Sequence, residues 1–152
     1  MRAARTLLGR IAGALGEPID GAPDARCARL FPDAPRIAAA TPGEIVRLGV
    51  TAARARTLVA LAQAVAGGQL VLEPGVDVDT TVRQLEAMPG IGPWTAQYIA
   101  MRALGWPDAF PASDLVVLRA LGETRAARAL ARSEGWRPWR AYAVMHLWRN
   151  AQ

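Results

Sequence analysis

A chain of 152 residues that is 52% apolar is long enough to enclose a core, and it suits neither disorder nor a fibrous class. Its apolar stretches are broken by Arg, Gly or Pro well short of the roughly 18–20 residues that cross a bilayer, and the charged start Met1-Arg2-Ala3-Ala4-Arg5 is unlike a signal peptide, so a cytoplasmic protein with no membrane segment is expected. The net charge of +5 suits a polyanionic partner, and the one cysteine, Cys27, excludes an internal disulfide, a four-cysteine zinc site and an iron–sulfur cluster and reads as a small buried filler.

Helical periodicity runs through the chain with no alternating strand pattern, which predicts an all-α, compact multi-helix domain over residues 1–152. The first helix is expected near 2–15. It has no capping residue before it, which fits either an ordinary frayed start or a chain that begins partway through a larger domain. Thr41-Pro42-Gly43-Glu44 combines a Thr cap, a first-turn Pro and an acid three residues on, and it predicts a helix near 43–48. Thr51 then starts a helix over 52–66 that Gly67-Gly68 ends. Leu70 to Asp77 holds the only strand-like residues, which Pro74-Gly75 breaks into an extended connection. Further helices are expected near 79–87, 93–104, 114–121, 124–132 and 138–150.

Between the helices ending near Ala87 and starting near Pro93 lies Met88-Pro89-Gly90-Ile91-Gly92. Pro89 stops the first helix, Gly90 and Gly92 allow a tight turn with positive φ, and Pro93 suits the first position of the next helix. Glycines here let backbone amides at a helix N-terminus approach a phosphate, which would position DNA without reading its sequence. A tight turn with no ligand explains a lone Gly-Ile-Gly equally well. From Asp114 onward seven arginines stand against three acids, giving +4 of the total charge, so this stretch is a candidate nucleic-acid face, or simply a solvated helix surface. All 18 basic residues are Arg. A compositional bias accounts for the preference, but no lysine is left to form a Schiff base.

The segment Leu85-Glu86-Ala87-Met88-Pro89-Gly90-Ile91-Gly92-Pro93-Trp94-Thr95-Ala96 resembles the hairpin of the helix-hairpin-helix DNA glycosylase superfamily. Pro111-Ala112-Ser113-Asp114 and Arg137-Pro138-Trp139-Arg140-Ala141-Tyr142 follow it in order. Together they are similar to the alkylation-repair branch, bacterial 3-methyladenine DNA glycosylase II, with the hairpin at 85–96, the catalytic loop and helix at 110–121 and the final helix at 138–150. The resemblance implies base-excision repair by monofunctional hydrolysis of the N-glycosidic bond of alkylated purines in double-stranded DNA, after base flipping, by a monomer. It makes Asp114 the catalytic carboxylate and puts Trp94, Tyr98 and Trp148 around the flipped base. It assigns Gly90, Ile91, Gly92 and Thr95 to the DNA backbone. No cofactor is implied beyond a structural sodium or potassium ion on the main chain of Glu86, Met88 and Gly90. Trp94 stands where lyase relatives carry a nucleophilic lysine. By the same match, the family has upstream an α/β domain and a wedge segment like Ile-Leu-Gly-Gln-Gln, and this chain begins just after it.

From the residues alone, Trp94 and Tyr98 share a helix face but suit core packing as well as a pocket wall. Asp114 is equally a helix cap. Trp136 and Trp139 read as packing residues, and His146 as a core or hydrogen-bonded histidine rather than a general base. Two other readings remain: a non-catalytic helix-hairpin-helix module that binds DNA, and an inactive fragment of a glycosylase.

Overall fold

The computed structural model describes residues 2–24 and 28–151; Cys27, expected as a buried filler, lies outside them. Packing divides the chain into two compact units, Met1–Leu70 and Val71–Gln152. The described residues are helical, with an isolated antiparallel bridge between Pro18 and Arg29 as their only β pairing. None of the helices is long and apolar enough to cross a membrane.

The first unit holds α1 (Arg2–Leu15), α2 (Ala34–Ala39), α3 (Pro42–Arg47) and α4 (Ala52–Ala66). Its core is Ala40, Ile45, Ala55 and Val59, with Leu15, Val50 and Leu58 packed against them. The predicted capping box is formed: Thr41 Oγ1 accepts from the Glu44 amide at 3.3 Å, and the Thr41 amide donates to Glu44 Oε2 at 2.7 Å. Thr51 sits at the N-cap of α4 but makes no side-chain cap bond. Helix α2 is absent from the expected elements, because six residues are too few for periodicity to register. Its signal is local: Asp33 accepts from the Arg36 amide at 3.0 Å, and Pro35 lies in the first turn. Gly16 closes α1 against the following loop, where an added Cβ would overlap the carbonyls of Leu30 and Ala12.

The second unit holds α5 (Val78–Glu86), α6 (Pro93–Arg102), α7 (Leu115–Ala120), α8 (Ala126–Ser133), a single 3₁₀ turn at Glu134–Trp136, and α9 (Arg140–Asn150). Ala96 and Ala100 on α6 are fully buried, and side chains this small let neighbouring elements approach closely. Ala100, Leu104, Ala109 and Ala141 form one cluster; Phe110, Val117, Ala129 and Val144 form a second, flanked by Trp136, Leu147 and Trp148. Val117 and Val144 are fully enclosed, a burial that stabilises by about 1.5–3 kcal/mol per side chain. These contacts fix α7 against α9 and so set the start of α7 beside Trp148.

Helix α9 begins at Arg140, two residues later than expected. Pro138 and Trp139 instead belong to a turn in which the Trp139 amide donates to Trp136 O at 2.7 Å. A long-range anchor takes over at that point: the Ala141 amide donates to Pro107 O at 2.9 Å, while buried Arg140 reaches back to Asp108. Local propensity carries no trace of a partner more than thirty residues away.

Candidate active site

The hairpin between α5 and α6 is built by backbone chemistry. The Ile91 amide donates to Met88 O at 3.1 Å, closing a four-residue turn with Pro89 second and Gly90 third. Gly90 has φ +90°, the conformation that the third position of a type II turn requires. Gly92 departs from the expected positive φ: at φ −97° and ψ 174° it is extended and serves as the N-cap of α6. Extended backbone is what an N-cap residue needs in order to turn the chain into a helix. A Cβ on Gly92 would meet nothing within 4 Å, so its missing side chain leaves open space rather than packing room. The Ile91 amide is used inside the turn and its side chain is buried. By contrast, the amides of Gly92, Trp94 and Thr95 find no backbone acceptor among the described residues, and no side chain caps α6. That leaves a set of outward donors at the positive end of a helix dipole.

In the same unit, Asp114 caps α7. Its Oδ1 accepts from the amides of Val116 at 2.9 Å and Val117 at 3.0 Å. It also accepts from Trp148 Nε1 at 3.0 Å, while Oδ2 accepts from Trp94 Nε1 at 2.8 Å. Burial pushes the Asp114 carboxyl up, but the Val117 amide, the Trp94 and Trp148 indoles and the Val116 amide together outweigh it and hold the group below the usual aspartate value. The cap reading of Asp114 is realised, and the same carboxylate also meets two of the aromatics that the sequence singled out with it.

The three aromatics singled out in the sequence meet. Trp94 and Tyr98 stack with centroids 5.3 Å apart and planes 11° from parallel, and Tyr98 lies 6.0 Å from Trp148 at 41°. They form a wall rather than a core cluster, for Trp94 and Tyr98 are 39% and 37% exposed. Trp136 packs edge-on to Phe110, as a packing residue should. Trp139 does not, being 58% exposed and touching Tyr142 edge-on at 5.7 Å. His146 is likewise exposed on α9 rather than in the core, and it lines an open hollow with Tyr142, Met145, Trp148 and Arg149. Ala141 and Val144 are the buried side of α9, so Trp139, Tyr142 and His146, at helical spacing from one another, share its outward side.

Sequence reasoning missed the residues that hold the Asp114 loop. Gln97 on α6 accepts from the Phe110 amide at 3.0 Å. Arg140 donates to both oxygens of Asp108, from Nε at 2.7 Å and Nη2 at 2.9 Å, and to the Asp108 carbonyl at 3.1 Å. Arg137 adds an ion pair to Asp108 at 2.9 Å. A signal was present in Trp106-Pro107-Asp108-Ala109-Phe110, since an acid inside so apolar a run has to be exposed or paired. The same pairing depletes the C-terminal charge run. Arg128 and Arg132 pair with Glu123, and Arg137 and Arg140 pair with Asp108 and Glu134, which leaves Arg119, Arg125 and Arg149 as its members without an ion pair among the described residues.

The described residues contain no group of three His, Cys, Asp or Glu side chains able to hold a metal ion. The hairpin carbonyls are a different donor set. Those of Glu86 and Gly90 receive no backbone amide among the described residues and that of Met88 receives one.

No protein-family model matches the chain. It is 46% identical over 151 residues to the probable bifunctional transcriptional activator/DNA repair enzyme AlkA of Mycobacterium tuberculosis, covering 97% of this chain and 30% of that protein. It is 36% identical over 145 residues to DNA-3-methyladenine glycosylase 2 of Escherichia coli, covering 95% of this chain and 50% of that one. The chain therefore spans between about a third and a half of these relatives. Among solved structures, the Clostridium acetobutylicum 8-oxoguanine glycosylase/lyase in complex with double-stranded DNA superposes with a TM-score of 0.81 at 19% identity, over 97% of this chain and 52% of that one. At that identity the likeness speaks for the fold alone.

Proposed function

We propose that this chain belongs to the DNA-3-methyladenine glycosylases that it resembles, and that it excises alkylated purines of the 3-methyladenine type from double-stranded DNA by hydrolysing the N-glycosidic bond. The observation that carries this reading is the Asp114 carboxyl group, fixed by four hydrogen bonds beside an exposed aromatic wall. A base inside a duplex is out of reach and must be flipped out, at a cost of roughly a few kcal/mol that is lower for damaged bases. Tyr98 already stacks on Trp94 and lies against Trp148, so the base meets the exposed side of this wall rather than a gap between those paired rings. Alkylation at a ring nitrogen makes the base cationic, and each ring it meets contributes roughly 0.5–2 kcal/mol.

The C1′–N bond then breaks with its electron pair leaving on the base, which neutralises the base and needs little acid assistance. Asp114 stabilises the cationic sugar, orients a water towards C1′ and takes up the proton the water loses. With no lysine in the chain, amine attack and cleavage of the DNA backbone have no side chain to perform them. Gly92, Trp94 and Thr95 grip a phosphate through the outward amides at the start of α6, which the Gly90 turn presents. A sodium or potassium ion on the carbonyls of Glu86, Met88 and Gly90 would add positive charge at the hairpin. Both compact units belong, in this reading, to one helical domain that acts as a monomer on DNA in the cytoplasm.

The test is release of free base from methylated duplex DNA, leaving a strand that breaks only after alkali. Binding without base release would point to a DNA-positioning module, and strand cleavage without alkali would sink the hydrolytic reading. Activity should persist as pH falls towards the ordinary aspartate value of about 3.9 and decline only below it, as protons reach a carboxylate whose folded pKa is depressed. A pH–rate profile with an acid limb above that value would contradict this.

The hairpin yields a paired prediction. Gly92→Ala, at an ordinary φ and facing open space, should cost no more than about 1 kcal/mol of stability yet weaken duplex binding by about tenfold or more, because the new methyl holds phosphate off the amides. Gly90→Ala should instead cost about 1–3 kcal/mol through its positive φ. Thermal melts and fluorescence anisotropy separate the two, and unaltered binding by the Gly92 variant would refute the phosphate contact.

A further inference from the structure

The Asp114 carboxylate is held unevenly. Oδ1 takes three donors, the Val116 and Val117 amides and the Trp148 indole, whereas Oδ2 takes the Trp94 indole alone. A carboxylate offers about four lone-pair sites over its two oxygens, so Oδ1 is saturated and Oδ2 keeps one open. Resting on the excision reading above, we propose that Trp94 and Trp148 are positioning residues that divide the carboxylate, making Oδ1 the anchor and Oδ2 the oxygen that meets the sugar cation and accepts the proton of the attacking water.

Two indole donors from different helices fix both the tilt and the rotation of the carboxylate plane, which two adjacent amides on one oxygen cannot do. Phenylalanine could supply the same aromatic wall, and tyrosine would carry its hydroxyl at the ring's far end. Among the three large aromatic residues, only tryptophan combines a stacking face with an N–H on the ring edge. The proposal thus gives the tryptophans a function separate from stacking on the base. The charged or titratable groups on the surrounding elements are Tyr98 and Arg102 on α6, Arg119 on α7, and Arg140, Tyr142, His146 and Arg149 on α9. None hydrogen-bonds or ion-pairs with Asp114 among the described residues.

Indole N–H resonances of this chain, followed by NMR through an acid titration, test the assignment. The Trp94 and Trp148 signals should move together through one transition that vanishes in Asp114→Asn, while those of Trp106, Trp136 and Trp139 do not follow it. In Trp94→Phe and in Trp148→Phe the transition should move to higher pH, since the anion has lost a donor in each; a side chain that only packs would not move it. Adding a duplex that carries a cationic pyrrolidine in place of one deoxyribose should shift the Trp94 signal and leave that of Trp148 in place. Absence of the shared transition in the unsubstituted chain overturns the proposal even if a variant fails to fold. A response at Trp148 without one at Trp94 overturns the choice of Oδ2. Loss of base release beside an intact transition would instead count against the excision reading, so the two failures are distinguishable.

Discussion

Asp114→Asn is expected to reduce excision of 3-methyladenine by about 10²- to 10³-fold, the usual effect of removing one preorganised electrostatic group from a transition state. The substitution changes little in shape, and asparagine is as good a helix cap as aspartate. What it cannot do is accept from both sides. In the native site each carboxylate oxygen receives an indole N–H, Trp148 on Oδ1 and Trp94 on Oδ2. The amide oxygen can keep the two backbone donors and Trp148, which turns the NH₂ group towards the Trp94 N–H. Two donors then face each other, at a cost of about 1–3 kcal/mol in stability. The double variant Asp114→Asn with Trp94→Phe removes the conflicting donor, so it should regain stability without regaining activity. Thermal melts beside a base-release assay give the full cycle. Near-normal excision by the single variant with an intact fold would refute Asp114 as the catalytic carboxylate.

Arg140→Ala is expected to cost about 3–5 kcal/mol, because it strands the Asp108 carboxylate in a buried place with only half-exposed Arg137 for company. For a chain of this size that is a fall in melting temperature of about 10 °C. The Arg140 and Asp108 side chains are 8% and 7% exposed, so solvent cannot take over the lost bonds. Arg137→Ala should cost less, since its side chain is 53% exposed and water screens the pair. Removing both buried partners, as in Arg140→Met with Asp108→Leu, should recover much of the loss. A double variant as unstable as the sum of the single ones would show that the pair is not coupled. Activity should fall with stability in Arg140→Ala, because the loop tied down at Asp108 leads through Pro111 directly into Asp114.

The hairpin is legible in its own residues. Pro89 ends α5, Gly90 supplies the one φ the turn cannot obtain elsewhere, and Pro93 opens α6; each effect acts within a few residues. The same is true of the capping box at Thr41, and of Asp114, whose cap bonds reach only two and three residues ahead. Helix spacing also put Trp94 and Tyr98 on one face. Where the local reading failed, at Gly92, the reason was local too. Glycine permits positive φ without requiring it, and the N-cap position called for extended backbone.

The sequence by itself determined the helical fold and the turn that presents the outward amides, while the carboxylate and its three aromatic neighbours were picked out by the family resemblance. Tertiary structure alone decided what those residues do to each other. The bonds from Trp94 and Trp148 to Asp114 span 20 and 34 positions, and the Arg140–Asp108 pair that anchors the loop spans 32. Such contacts exist only once α6, α7 and α9 have packed around Val117 and Val144. Periodicity shows which face of a helix is apolar; it does not show which partner that face will meet. Asp114 thus reads locally as a helix cap, and only the folded chain brings two indoles to its carboxylate and makes the cap a candidate catalytic group.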